Sequence, residues 1–375
     1  MKIVKKSFWQ RIFSFDPFLL ACTLGLSLIS LLALFGGKED FGLRAFLMQF
    51  AMTFLGTLLL MFIAAVDYEK IVETYSIAAF LGSVVLLCIT LIFGFSIGEN
   101  RSWIEIPFTG ISIQPSEFVK AAYIMTFSKH ISMVKDTINK PKTLLGLGVH
   151  AGVIVGLVLL SGDLGVALVY IGITAVMLFC AGLNIWYFVA VIALMAIAFP
   201  FLWDFLAPYQ QERILVGFNP DLDPGGKGLQ PIISRKAIIN GGFSGRGMFG
   251  GYYYTTLPIA ESDFMYATVC EKFGFLGGFA IIALMILAVV RILIIARDVR
   301  QDYGRYICVG VAAMLILQTL ENVGMCLALV PVIGITLPFV SAGGSSVLAT
   351  YIIVGMVHSV RAGKNKFYFD KPRRS

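Results

Sequence analysis

Apolar residues run through this chain in blocks of about twenty, separated by short polar stretches, and the spacing recurs from the first tens of residues to the last. An α-helix needs roughly 20 predominantly apolar residues to cross a hydrocarbon core of about 30 Å. Ten such spans are predicted, at 18–36, 43–65, 74–95, 117–133, 144–161, 164–182, 186–206, 264–296, 306–329 and 338–361. The eighth is longer than one crossing requires and is expected to bend or to lie partly outside the bilayer. The fold class expected is therefore an all-α polytopic membrane protein of about ten transmembrane helices. A transmembrane domain covers 18–361, a large extracytoplasmic loop (207–262) joins helices 7 and 8, and 1–17 and 362–375 are basic tails.

Composition sharpens this picture. With 58% hydrophobic and 14% charged residues and a mean hydropathy of +0.87, the chain has too little polar surface for a soluble domain of 375 residues. Lys2, Lys5, Lys6 and Arg11 resemble the start of a signal peptide. The apolar stretch after them is long enough to span, and no small-residue cleavage site follows, so a retained first helix is expected. The six cysteines all fall in predicted spans without a CxxC pair, which argues for buried apolar thiols rather than a disulfide framework or a zinc site.

The net charge of +7 points to nucleic acid only if its distribution is ignored. Basic residues gather at the N-terminus, in the loop with Lys135, Lys140 and Lys142, in the loop with Arg297, Arg300 and Arg305, and in the C-terminal tail. All of these fall on one side of the membrane in the ten-span topology, which is the positive-inside pattern and places both termini in the cytoplasm. Such runs act as topology signals and contact anionic membrane lipids. No nucleic-acid partner is expected.

Against this apolar background a few polar residues stand out. Asp263 lies in LPIAESDFMYATVCEKFGFLGG (Leu257 to Gly278), where the long loop meets an apolar helix. An ionised group beside hydrocarbon is costly unless water or a partner solvates it, so Asp263 is a functional candidate. Trp103, in GENRSWIEIPFTGISIQPSEFVK, reads either as an interfacial anchor or as a substrate-facing ring. In the same stretch Pro115, Ser116 and Glu117 have the composition of a helix start. Glu117 and Lys120, three apart, share a helix face and suit a structural ion pair. Asp163 lies in the SGDLG turn on the same external side as Asp263 and suits a helix cap. The loop carries ten glycines with Arg213, Lys227, Arg235, Lys236 and Arg246, a flexible and cationic setting for an anionic, membrane-tethered substrate. Its Gly245, Gly247 and Gly250 match G-x-G-x-x-G, but no βαβ unit precedes them and dinucleotide binding is rejected. Finally, Pro331, Gly334, Pro338, Gly343 and Gly344 interrupt an apolar run, so a broken or re-entrant segment is expected there.

Together these pieces resemble the SEDS family (shape, elongation, division and sporulation; RodA/FtsW/SpoVE-like), from about residue 84 to 361. The resemblance rests on Gln114-Pro115-Ser116-Glu117 with Lys120, on Leu257-Pro258 to Asp263-Phe264 followed by Phe273-Gly274-Phe275, and on Pro331 to Ser346. The chain departs from the family's usual pattern at Ile259 and Glu261, and at Ser161-Gly162 before Asp163, while keeping Asp263. The resemblance implies a peptidoglycan glycosyltransferase at the outer face of the bacterial cytoplasmic membrane. It would polymerise lipid II, the undecaprenyl pyrophosphate-linked disaccharide pentapeptide, with inversion at the anomeric carbon. Asp263 is then the expected general base, and Trp103, Asp163, Arg213, Lys227, Arg246 and Ser262 are the expected substrate contacts. A class B penicillin-binding protein transpeptidase is the implied partner. A divalent cation, Mg²⁺ or Mn²⁺, would assist by neutralising phosphate charge, although the sequence shows no metal cage. The rival readings are a lipid II flippase or transporter, whose functional polar residues would reach both faces, and a non-catalytic cell-wall scaffold, in which Asp263 would be dispensable.

Overall fold

The structure is a computed structural model that describes residues 14–97, 100–106, 111–205 and 208–364. In chain order its helices are α1 (Pro17–Gly36), α2 (Lys38–Phe41), α3 (Leu43–Ala65), α4 (Tyr68–Phe93), α5 (Pro115–Val134), α6 (Pro141–Leu160), α7 (Leu164–Cys180), α8 (Ile185–Phe205), α9 (Pro208–Phe218), α10 (Leu229–Gly241), α11 (Met265–Arg297), α12 (Asp302–Cys326) and α13 (Gly344–Lys364). Among the described residues, seven helices are long and apolar enough to cross a membrane: α1, α3, α4, α6, α11, α12 and most of α13. Two shorter helices, α7 and α8, are equally apolar, and α5 carries Glu117, Lys120 and Lys129 on an otherwise apolar frame. The chain is a multi-pass helical membrane protein.

Local chemistry explains where these helices begin and bend. Asp16 caps α1 by accepting the N–H of Leu19 at 2.9 Å, and Pro17 follows at the first helical position. Asp163 caps α7 in the same way through Val166 N. Helix α5 opens as expected, with Pro115 at the start of the helix and Glu117 in its first turn. Gln114 occupies the N-cap position without a side-chain bond, and Ser116 Oγ is buried with no hydrogen-bond partner. Helix α11 bends as its length predicts, at Gly274, where φ is 69° and ψ is −162°. A Cβ there would lie 2.4 Å from both Gly245 N and Phe243 O, so only glycine fits. The N–H groups freed by the kink are satisfied from outside the helix, Phe275 N by Gly242 O at 2.8 Å and Leu276 N by Phe243 O at 3.3 Å.

Two features depart from the sequence expectation. Phe95–Ile97, Asn100–Ile106 and Ile111–Ile113 (β1, β2 and β3) form a small antiparallel sheet in the order β1-β2-β3, in a stretch for which the sequence predicts no regular element. Arg101 on β2 donates to Ile92 O in the last turn of α4 and to Gly94 O just beyond it, which is favourable for a cation at a helix C-terminus. The long loop, in turn, is not merely flexible, since α9 and α10 occupy much of it and α10 packs on α11.

The most buried spanning helices are α12 and α13, around which α3, α5, α7 and α11 pack. At the end of the bundle away from Asp263, fully buried Asp16 accepts from Arg291 Nε and Nη2 at 2.9 and 2.8 Å and pairs with Arg361. Its N–H donates to His358 Nδ1 at 3.0 Å, so α1, α11 and α13 are tied at that end.

Candidate functional site

The turn before α11 places Asp263. Ser262 N and Asp263 N both donate to Ile259 O, at 3.1 and 3.0 Å. Ile259 itself has φ of 50°, an unusual value for a β-branched residue that the surrounding bonds must hold. Ser262 Oγ donates to Asp263 Oδ1 at 3.0 Å. A Cβ built on Gly334 would lie 3.3 Å from Asp263 Oδ2, so the second carboxyl oxygen rests directly against that glycine. Burial raises the Asp263 carboxyl above its ordinary value, the charge on Glu261 adds to the rise, and the Ser262 hydrogen bond opposes it.

A non-helical segment between α12 and α13 clamps this turn. Residues 327–343 form no helix, in keeping with the interrupting prolines and glycines. Ser341 Oγ donates to Ser262 O at 2.5 Å and accepts from Leu337 N at 2.8 Å, while Ala342 N donates to Glu261 O at 2.8 Å. Fully buried Asn322, near the end of α12, donates through Nδ2 to Asp263 O at 2.8 Å and to Ile335 O at 2.7 Å. Two carbonyl partners can be met only by the amide nitrogen, which fixes the orientation of the side chain. The segment is held from its other side by Gln49 Nε2 on Ser341 O and by Ser30 Oγ on Val340 O.

The same segment borders the second group of candidates. Gly165, two residues after Asp163, is packed so closely that an added Cβ would lie 2.9 Å from Ile333 O. The helix that Asp163 caps therefore packs, through Gly165, against Ile333, one residue before the Gly334 that Asp263 contacts. Asp163 Oδ2 accepts from Gln114 Nε2 at 2.7 Å. Burial raises its carboxyl too, against the lowering effect of the Val166 N–H bond. Next to it, Lys120 Nζ lies 2.8 Å from both carboxyl oxygens of Glu117, with side chains 1% and 4% exposed. This pair is internally satisfied and sits where Tyr170 OH anchors to Ser116 O at 2.7 Å, which suits an architectural role.

The loop cations are placed less centrally. Lys227 Nζ pairs with Glu212 at 2.7 Å on the surface. Arg246 directs Nε and Nη2 at Asn240 Oδ1 and Nε also at Asn240 O. Arg213 lies on α9, but its side chain falls outside the described residues. Trp103 is half-buried on β2, opposite Phe95 across the ladder.

Behind the loop is a network that the sequence did not single out. Glu271, fully buried, accepts the backbone N–H groups of Tyr252, Tyr253 and Tyr254 at 2.9, 3.0 and 2.8 Å, and Asn240 Nδ2 at 2.8 Å. Lys272 donates to Met248 O and lies 4.0 Å over the ring of Tyr254. Its only sequence signal is a Glu-Lys pair inside an apolar helix, and Asn322 gives a similar one as an amide in a span. Among the described residues no three His, Cys, Asp or Glu side chains converge to hold a metal ion, so the residues do not make a resident metal site.

The sequence profile of the FtsW/RodA/SpoVE family, described as cell cycle proteins, matches residues 13–366. A relative from Trichlorobacter lovleyi named probable peptidoglycan glycosyltransferase FtsW is 32% identical over 310 residues, covering 80% of this chain and 78% of its own. The peptidoglycan glycosyltransferase MrdB of Escherichia coli is 30% identical over 365 residues, 95% of each chain. Among solved structures, a chain from a study of the structural coordination of polymerization and crosslinking by a peptidoglycan synthase complex superposes with a TM-score of 0.83. It is 26% identical, and the match covers 95% of this chain and 99% of that one. With a profile match over nearly its whole length and full-length relatives at this identity, the chain belongs to the FtsW/RodA/SpoVE family.

Proposed function

We infer that this member of the family is a peptidoglycan glycosyltransferase that polymerises lipid II, with Asp263 as its general base. The observation that carries the assignment is the Asp263 turn. A carboxyl kept protonation-prone by burial is fixed through its own backbone carbonyl by Asn322 and through its neighbour by Ser341. A base with a raised pKa takes a hydroxyl proton more readily than an ordinary carboxylate, and fixed geometry lowers the entropic part of the barrier.

The reaction follows from these parts. Asp263 removes the proton from the 4-hydroxyl of an acceptor GlcNAc as that oxygen attacks the anomeric carbon of the donor. The bond from that carbon to undecaprenyl pyrophosphate breaks, the pyrophosphate leaves with the electron pair, and the α-linked donor becomes a β-linked product. A single displacement needs no second, nucleophilic carboxylate. Lys227, Arg246 and Arg213 supply positive charge for the departing pyrophosphate. Surface pairs such as Lys227 with Glu212 contribute at most about 1 kcal/mol, so a phosphate can displace them. Asp163 and Trp103 contribute to the substrate side, Ser262 holds the base, and Glu117 with Lys120 holds the frame. A divalent cation, Mg²⁺ or Mn²⁺, enters this scheme only as a counter-ion of the substrate pyrophosphate.

In this reading the chain crosses a bacterial inner membrane ten times, counting α5, α7 and α8 with the seven apolar helices, and both termini are cytoplasmic, as the distribution of basic residues supports. The base then lies on the outer side. The transmembrane domain is 18–361, flanked by the tails 1–17 and 362–375. A class B penicillin-binding protein is the partner this reading requires for crosslinking, a reading supported by the synthase complex in which the structural neighbour was studied.

The test is polymerisation of purified lipid II by the detergent-purified protein, native against Asp263→Asn, with and without the partner and with Mg²⁺ or Mn²⁺. Polymer from the native chain and none from an equally folded Asn variant supports the assignment. Polymer from both removes Asp263 as the base.

A further inference from the structure

Phe243 and Phe249 lie outside every spanning helix, and each is 69% exposed. Burying such a side chain is worth about 1.5–3 kcal/mol, so two of them facing water within seven residues call for an apolar cover. Their neighbours say what that cover is. The ring of Phe243 stacks on Phe275 at 6.0 Å and 17°, and Phe275 stacks on Phe279 at 5.8 Å. Phe249 meets Phe35 at 6.2 Å, and Phe35 meets Phe46 at 5.4 Å.

Phe275 and Phe35 mark the same level on two different helices. From Phe275 to Arg297 the helix beyond the Gly274 kink is roughly 34 Å long, close to the thickness of the hydrocarbon core, so the kink lies at its boundary. Phe35 is the last residue but one of α1 and therefore lies at the same boundary, a level that Gly36 confirms by packing on Met248. Phe275 and Phe279 are themselves exposed, at 58% each, on the lipid-facing surface of α11. The two loop phenylalanines thus continue the exposed apolar surface of a helix long and apolar enough to span a membrane. Lys38 Nζ lies 5.1 Å from the Phe35 ring, a cation at the depth where lipid phosphates lie.

We propose that the Gly242–Gly251 stretch is a membrane-interface wedge, with Phe243 and Phe249 inserted into the outer edge of the bilayer hydrocarbon. The wedge is rigidly joined to α11, since Arg246 N donates to Glu271 O at 2.9 Å and Gly247 N to Lys272 O at 3.0 Å. It therefore sets the height at which α11, and the Asp263 turn before it, meets the membrane surface.

The experiment places one nitroxide label at a time on the full-length protein at Phe243→Cys, Phe249→Cys or Ser244→Cys. Each variant also carries Cys180→Ser, which removes the exposed native thiol, and is reconstituted into phosphatidylcholine–phosphatidylglycerol vesicles. Collisions with dissolved oxygen, which concentrates in hydrocarbon, are compared with collisions with a water-soluble nickel complex. The wedge predicts high oxygen access at 243 and 249 and several-fold less nickel access than at 244. Labels at 243 and 249 that behave like the one at 244 overturn it, as do labels shielded from both reagents, which would mean that protein and not lipid covers the patch. Should the cysteine variants fold poorly, Phe243→Trp keeps a ring at the site. Added quenching of its fluorescence by lipids brominated high on the acyl chain supports the wedge, and no added quenching overturns it.

Discussion

Asn322 offers the sharpest test of how the base is held. Its amide nitrogen donates to Asp263 O at 2.8 Å and Ile335 O at 2.7 Å, and the side chain is fully buried. Asn322→Ala leaves two carbonyls facing an apolar cavity without donors. Each unsatisfied group costs about 1–3 kcal/mol, so the variant should lose roughly 2–6 kcal/mol of stability if the segment cannot relax. Relaxation moves the loss from stability to chemistry, because a displacement of about 1 Å at a catalytic group can lower the rate roughly 100-fold. Since Asn322 is bonded to backbone carbonyls and is fully buried, the effect should fall on kcat and leave KM nearly unchanged. Asn322→Asp should be worse than alanine, for it turns a carboxylate oxygen towards two carbonyl oxygens. Lipid II polymerisation rates at several substrate concentrations, with thermal unfolding of the same preparations, separate these effects. A folded Asn322→Ala protein with native kcat would refute the idea that this amide positions Asp263.

The remaining predictions follow from the buried charges and the kink. Asp263→Asn should be inactive yet more stable at neutral pH. The folded carboxyl titrates above its ordinary 3.8, so native stability is fullest below that pH and falls as pH rises through the raised value, a loss the neutral amide escapes. The gap in Tm between variant and native protein should therefore widen as pH rises from 3.8 through the raised value, and native activity should rise with pH over the same interval. Removing one member of the Glu117–Lys120 pair strands a charge within the bundle. Glu117→Gln or Lys120→Met alone should cost about 3–5 kcal/mol, while the double variant should cost less than the two singles added, as a thermal-unfolding cycle would show. Gly274→Ala places a Cβ 2.4 Å from two backbone atoms at φ of 69° and should cost about 3 kcal/mol or more, read as a drop in Tm or in the folded yield.

Much of this architecture was legible in the sequence because hydrophobic period and length are long-range, redundant signals. The predicted span 43–65 coincides with α3, and 264–296 differs from α11 by one residue at each end. The bend in α11 followed from length alone, since 33 residues overshoot a bilayer. The sheet at 95–113 was missed because its strands are three to seven residues long, too short for alternation to outweigh the neighbouring polar and turn-forming residues.

The site divides in the same way. Asp263, Asp163 and the Glu117–Lys120 pair announced themselves as charges in apolar surroundings. Asn322, Ser341 and Gln49 did not, because they donate to backbone carbonyls 13 to 292 residues away, and a carbonyl looks alike at every position in a sequence. The base is thus held by groups that carry no charge. An ionic clamp around Asp263 would have pulled its pKa down or, with a second carboxylate nearby, pinned its proton. Neutral donors on main-chain oxygens fix the turn while leaving the carboxyl's own pKa to burial, with Glu261 and Ser262 as smaller opposing influences. Positioning and basicity are in this way set by separate residues, which is why Asn322→Ala should lower the rate and leave the pH dependence of activity unchanged, whereas Asp263→Asn should abolish activity and change the pH dependence of stability.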